Sequence, residues 1–314
     1  MPSKSFDYAG RTATIIGGGV IGASWAALFA ANGLTVVIAD PDPDIAPKAT
    51  AIITAALPAL IALGHAPFDI AERIRFDNVT ERAVAHAFIV QECGPERPGF
   101  KQSLWEVVEA AAPADALLCS SSSGIPASLQ QVEMRDHTRL IIGHPFNPPH
   151  LMPLVEVVPT PTTAPEVIAR AVAFYDAMGK VSRVIRKEVP GFVVNRLQAA
   201  IFRECVSLVN AGVVTIDELD DIVTTSLGVR WATSGPFLSF HLGGGAGGLP
   251  HFVEHLGPPM EQLWQTLGRP TFDQATKALI GQQAGASYGT RSIEELAETR
   301  DAREVAVINA LAEA

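Results

Sequence analysis

Positive charge is scarce in this chain. Its 314 residues carry 23 Lys and Arg against 33 Asp and Glu, a net charge of −10. A surface that tracks nucleic-acid phosphates needs the opposite balance, so no nucleic-acid partner is expected. Cysteine is scarcer still. Cys93, Cys119 and Cys205 stand far apart, odd in number and without metal-ligand spacing. That excludes a disulfide framework, points to free thiols in a reducing cytoplasm, and gives no reason to expect a metal. Internal repeats and low-complexity tails are also missing. One uncharged run, Ala13 to Ala39, has the length of a membrane span or a signal peptide. A glycine cluster and the Asn32-Gly33 break cut it into short pieces, and no basic segment leads into an unbroken apolar core. No membrane partner is therefore expected. With 48% hydrophobic and 18% charged residues, the composition is that of a globular protein, long enough for two domains.

The residues that are present organise around Thr12 to Asp40. A β-branched segment enters Gly17-Gly18-Gly19-Val20-Ile21-Gly22, an alanine-rich helical run follows, and a second apolar strand stops at Asp40. Strand, G-x-G-x-x-G turn, helix and strand form the context of a dinucleotide site. Gly17 permits the tight turn, Gly19 lets the backbone approach a pyrophosphate, and Gly22 lets helix and strand pack closely. Val20 and Ile21 open the helix whose unpaired amides face the phosphates. Asp40, 18 residues beyond Gly22, has the position to accept hydrogen bonds from the adenosine ribose. A carboxylate there repels a 2′-phosphate, so the expected cofactor is NAD.

Further strands are expected at 87–91, 116–119, 140–143, 154–158 and 181–185, with helices between them. Beyond Pro190-Gly191 the pattern is almost wholly helical. The fold class expected is α/β: a Rossmann-type doubly wound sheet over 1–189 and an all-α domain over 190–314. The helical part carries more apolar residues than one small domain buries, so it is expected to bind substrate and to join two copies as a homodimer.

His144 follows a strand and precedes a loop stiffened by Pro145, Pro148 and Pro149, and Glu156 stands twelve residues later in the apolar run Leu154 to Val158. A carboxylate inside an apolar strand is costly to bury without a partner. A His–Glu pair supplies one, fixing the imidazole tautomer and leaving the other nitrogen for proton transfer. Singly, each has an ordinary explanation: a carboxylate facing solvent from an edge strand, or a structural histidine. Beside a nucleotide turn, the two match a site for carbonyl–alcohol redox chemistry.

Four stretches together, SSSS (120–123), GHPFNPP (143–149), PLVEVV (153–158) and KEVPGFVVNRLQ (187–198), resemble the 3-hydroxyacyl-CoA dehydrogenase superfamily. The likeness covers nearly the whole chain and is greatest to the branch acting on free 3-hydroxy acids, L-carnitine and L-gulonate. The resemblance implies that His144 is the acid/base, Glu156 its orienting partner, Ser122 a hydrogen-bond partner of the substrate oxygen, and Asn195 a residue near substrate and nicotinamide. The interval from Ser122 to His144 is one residue longer than the family pattern, which leaves Ser121 and Ser123 open. For NAD the family pattern implies Gly17, Gly19, Gly22, Asp40, Glu96, Lys101 and Asn147. Arg97-Pro98-Gly99 departs from it and leaves the start of the helix carrying Lys101 open.

For the substrate, Arg230 is a candidate carboxylate partner. Trp231, Phe237 and Phe240 are candidate aromatic faces for a trimethylammonium group, or simply packing residues. The expected activity is NAD-dependent oxidation of the 3-hydroxyl of a small L-3-hydroxy acid of L-carnitine type. The alternatives are L-gulonate, a 3-hydroxyacyl-CoA thioester, and a non-catalytic crystallin-like or NAD-sensing role. A thioester enzyme needs a basic cleft mouth for CoA, and few of the 23 basic residues fall in the candidate loops.

Overall fold

Eight runs of β-branched and apolar residues form strands: β1 (Thr12–Ile16), β2 (Thr35–Ala39), β3 (Ile74–Asp77), β4 (Ile89–Glu92), β5 (Leu117–Ser120), β6 (Leu140–Pro145), β7 (Leu154–Pro159) and β8 (Val181–Val184). The computed structural model that shows them describes residues 8–65 and 69–313. The strands make one sheet in the order β3-β2-β1-β4-β5-β6-β7-β8. From β3 to β6 every neighbour is parallel. Strands β4, β5 and β6 are buried throughout, which is why each opens on an apolar run before its polar end. Strand β7 turns back antiparallel to β6, and β8 runs parallel to β7.

Side-chain alternation along each strand divides the core between the two faces. Ala13, Ile15, Ile141, Val155 and Val157 join Trp25, Phe29, Phe174 and Tyr175 on one face. Ile16, Ile142 and Val158 join Trp105, Val108 and Phe192 on the other. Each large apolar side chain so buried stabilises the fold by about 1.5–3 kcal/mol. Helix Val20–Ala31 has ten of its twelve residues buried, and its alanines and Gly22 let it lie close to the sheet. Against it packs helix Ile45–Ala62, which by length and composition alone could cross a membrane. Here its Ala49, Ile53, Ala56 and Leu60 belong to the core, and Pro58 lies within it.

The loop after β6 is tied down from two sides. Ser24 Oγ, on the first helix, accepts from the His150 amide and meets His150 Nδ1 at 2.8 Å. From the other side Lys180 Nζ donates to the carbonyls of Pro149 and Met152. Lys180 is placed by a left-handed Gly179 (φ +80°) after helix Pro165–Ala177, with its own amide on Tyr175 O.

The chain divides into two compact units, Met1–Arg196 and Leu197–Ala314; from the sequence a boundary is expected at Val189. The second unit is helical, with a capping box at Thr215 and Glu218 and an Asp273 cap on the Thr276 amide. Where one helix is expected from Ile216 to Leu227, Ile216–Val223 gives way to a π-helical turn, Thr224–Gly228. Among its described residues only Val206, Val209, Gly244, Gly248 and Thr276 are buried. Phe202, Phe237, Leu263, Trp264 and Phe272 are all exposed. This unit has almost no core of its own.

Burial among carbonyls, without a carboxylate partner, draws Lys180 down to about 7 from 10.5. Between those values the folded chain has released a proton that the unfolded chain keeps, so this residue favours folding increasingly as pH rises. Lys180→Met removes that dependence. Urea unfolding of both proteins should show wild type gaining stability relative to the variant from pH 7 towards 10.5.

Candidate active site

The glycine turn after β1 is built by close approach. Gly17 has φ +94°, and a Cβ there would stand 2.8 Å from the carbonyl oxygen of Cys93. A Cβ on Gly22 would meet Gly17 O at 1.8 Å. Gly19, by contrast, faces open space at the start of the helix. A turn that excludes side chains inward and leaves its outward glycine bare fits a pyrophosphate laid on backbone amides. Val20 beside it is exposed, whereas Ile21 packs on the core. Asp40 follows β2 directly, with one oxygen on the Gly18 amide (2.8 Å) and the other on the Asp42 amide (2.9 Å). Its carboxylate is thereby held at the turn as a ribose site requires. The residues fit NAD.

The strand ends beside this turn carry a linked set of polar groups. Glu92, at the end of β4, is fully buried and accepts from Lys101 Nζ on both oxygens (2.7 and 2.8 Å), from the Gly94 amide and from Ser120 Oγ. Lys101 also stands 3.4 Å from Glu96 and is only 1% exposed. The expected cofactor lysine is therefore a buried strut whose ammonium points at two carboxylates. Pro98 occupies the first turn of its helix, Pro98–Ala111, where the missing amide costs nothing, so the departure at 97–99 still opens a helix.

Glu96 accepts from Ser122 Oγ at 2.5 Å and from the amides of Gly124 and Ile125. Burial pushes its pKa up, but the Ser122 hydroxyl, Lys101 and those two amides outweigh it and hold the group below its ordinary value. The four serines now have distinct places. Ser120 serves Glu92, and Ser121 Oγ is taken by Gln91, Trp25 and Cys93. Ser122 faces Glu96, and exposed Ser123 offers its carbonyl to Asn195 Nδ2 at 3.2 Å. Ser122 Oγ also accepts the Ile125 amide at 2.9 Å.

His144 and Glu156 are direct partners in the antiparallel ladder of β6 and β7. The register sets them side by side on one face, and His144 Nδ1 lies 2.8 Å from Glu156 Oε2 with both side chains buried. Glu156 Oε1 accepts the amides of Val193 (3.0 Å) and Val194 (3.2 Å). Burial raises the Glu156 pKa, and His144 with these two amides more than reverses that, so it stays ionised below the usual range. With Nδ1 engaged, Nε2 is the imidazole nitrogen left to exchange a proton. Asn147 is exposed on the loop just beyond.

In the helical unit, Arg230 and Trp231 lie in helix Val229–Thr233 and Phe237 in helix Pro236–Gly243, all three exposed. Phe240 stacks on Phe252 with ring centroids 4.6 Å apart, the packing alternative for that residue. Sequence reasoning missed Glu92, although a glutamate closing the apolar run 87–91 was the available signal. It also missed the amides of Val193 and Val194, which no side chain advertises.

Comparison with known proteins identifies the family. The NAD binding domain of 3-hydroxyacyl-CoA dehydrogenase matches residues 12–189, and the C-terminal domain matches residues 191–286. L-carnitine dehydrogenase of Streptomyces griseus is 41% identical over 300 residues, covering 96% of this chain and 90% of that one. Its counterpart in Pseudomonas aeruginosa is 40% identical over 303 residues, covering 96% and 94%. Among solved structures, 5-formyl-3-hydroxy-2-methylpyridine 4-carboxylic acid 5-dehydrogenase, an NAD+-dependent dismutase, superposes with a TM-score of 0.81 at 28% identity, covering 96% and 98%. (S)-3-hydroxybutyryl-CoA dehydrogenase of Ralstonia eutropha, at 23% identity and a TM-score of 0.64 over 89% and 95% of the two chains, shares the fold. The chain is thus an NAD-dependent dehydrogenase and belongs to the 3-hydroxyacyl-CoA dehydrogenase family.

Proposed function

We propose that this enzyme oxidises the 3-hydroxyl of a small free L-3-hydroxy acid, L-carnitine, to the 3-keto acid. The observation that carries the substrate is the run of relatives about 40% identical over 96% of the chain, each an L-carnitine dehydrogenase. The site chemistry supports the reaction class. Neutral His144, its Nδ1 proton held by Glu156, accepts the hydroxyl proton at Nε2, and the ionised carboxylate stabilises the imidazolium that forms. Bound NAD supplies the hydride acceptor. Ser122 and Asn195 orient the substrate, while Asp40, Gly17, Gly19, Gly22, Glu96 and Asn147 form the cofactor cradle, with Lys101 acting through Glu96. Arg230 binds the substrate carboxylate, and Trp231 and Phe237 supply faces for the quaternary ammonium.

The exposed apolar surface of the helical unit supports a homodimer through that unit, since one copy leaves it without a core. Free Cys93, Cys119 and Cys205 support a reducing, cytoplasmic setting.

Four measurements test this reading. NADH formation should appear with L-carnitine and be weak or absent with L-gulonate, L-3-hydroxybutyrate and L-3-hydroxybutyryl-CoA; turnover of the thioester alone overturns it. His144→Gln should lower kcat by about 10²- to 10⁴-fold while NAD affinity stays near wild type. Glu156, lowered from 4.5, stabilises the fold above that value and loses its effect as pH falls through the depressed one. The stability advantage of wild type over Glu156→Gln should therefore hold at neutral pH and shrink on acidification below 4.5. Sedimentation at micromolar concentration should give a dimer, and a monomer contradicts the assembly.

A further inference from the structure

The stretch that closes over Glu156 has an uncommon backbone. Gly191 has φ +73°, and Phe192 follows with φ +48°. Glycine enters the left-handed region freely, but a bulky residue there is strained and persists only where its surroundings hold it. Phe192 is held on three sides. Its amide donates to Val189 O at 3.0 Å. Its side chain is fully buried among Ile142, Val158 and their neighbours. Its ring lies 5.5 Å, centroid to centroid, from the imidazole of His144, tilted by 54°. The next two amides, Val193 and Val194, converge on the one oxygen Glu156 Oε1. Convergence of successive N–H groups on one acceptor is the concave nest that left-handed residues create.

We infer that Phe192 is a positioning residue for His144: its ring walls one side of the imidazole, and its left-handed backbone aims two amides at the carboxylate that orients that imidazole. Glycine at 192 would form the same turn without strain, so the turn alone does not account for a phenylalanine. The ring limits rotation of the imidazole out of line with the hydroxyl and keeps water off the His144–Glu156 hydrogen bond. The inference rests on His144 being the proton-transfer group of the proposed reaction.

The test separates ring from backbone. Phe192→Gly keeps the left-handed turn and removes the wall; Phe192→Leu keeps apolar bulk and serves if the glycine variant does not fold. Phe192→Tyr retains a ring. Expected is a fall in kcat of about 10- to 100-fold in Phe192→Gly or Phe192→Leu, the scale of a catalytic group displaced by an ångström. KM for NAD should stay near wild type, and Phe192→Tyr should recover most of the loss. A readout independent of substrate is the downfield Nδ1 proton resonance of His144 in ¹⁵N-histidine-labelled protein, assigned by its absence from His144→Gln. It should be present in wild type and Phe192→Tyr, and lost to solvent exchange in Phe192→Gly or Phe192→Leu. Wild-type kcat together with an unchanged resonance in a folded variant overturns the inference. If wild type fails to oxidise L-carnitine while the resonance follows the expected pattern, the substrate reading falls and the positioning role stands.

Discussion

A buried negative charge is the constraint on which this site depends. Withdrawing a carboxylate from water costs several kcal/mol unless its oxygens find donors. Glu156, 2% exposed, finds three: the imidazole of His144 and the amides of Val193 and Val194. The donors come from two separate parts of the chain, β6 before it and the turn after Pro190 behind it. The need to satisfy one charge thus gathers segments that hydrophobic burial, which has no direction, would not align.

Glu92 solves the same problem differently. Its partners are Ser120 at the end of β5, the Gly94 amide in the loop after β4, and Lys101 on the helix that follows that loop. Through Ser120, whose Oγ also accepts the Ser122 amide, and through Lys101 beside Glu96, two of the supports of Ser122 lead back to it. Below them Tyr175 OH donates to Gln91, and Gln91 donates to Ser121 and to the Gly143 carbonyl. Gly143 has to be glycine, because a Cβ there would meet the Tyr175 hydroxyl at 1.9 Å. Two buried carboxylates therefore divide the work, one setting the serine and the other the histidine.

Much of this is written in one-dimensional pattern. Glycine spacing, the uncharged strands and the acid at Asp40 carry the dinucleotide half, because tight turns and burial leave compositional traces. His144 and Glu156 are legible because a polar residue in an apolar run demands an explanation. Lys101 was legible as important but not as buried, since its burial depends on Glu92 across a loop. Phe192 gives no sign at all: an aromatic in an apolar segment looks like packing, and only the backbone angle distinguishes it. The missing core of the helical unit shows in composition as surplus apolar residues, whereas the π turn at Thr224–Gly228 has no such trace.

The antiparallel turn of β7 against β6 carries a consequence for how such a site is found and kept. In an antiparallel ladder, partners are fixed by strand register, so the twelve-position separation of His144 and Glu156 reflects mainly the length of the connecting loop. Insertions in that loop leave the pair intact. A slip of one residue along either strand instead sends one partner through the sheet to the opposite face. The pair therefore depends on the parity of the register rather than on the length of the loop that joins the two strands.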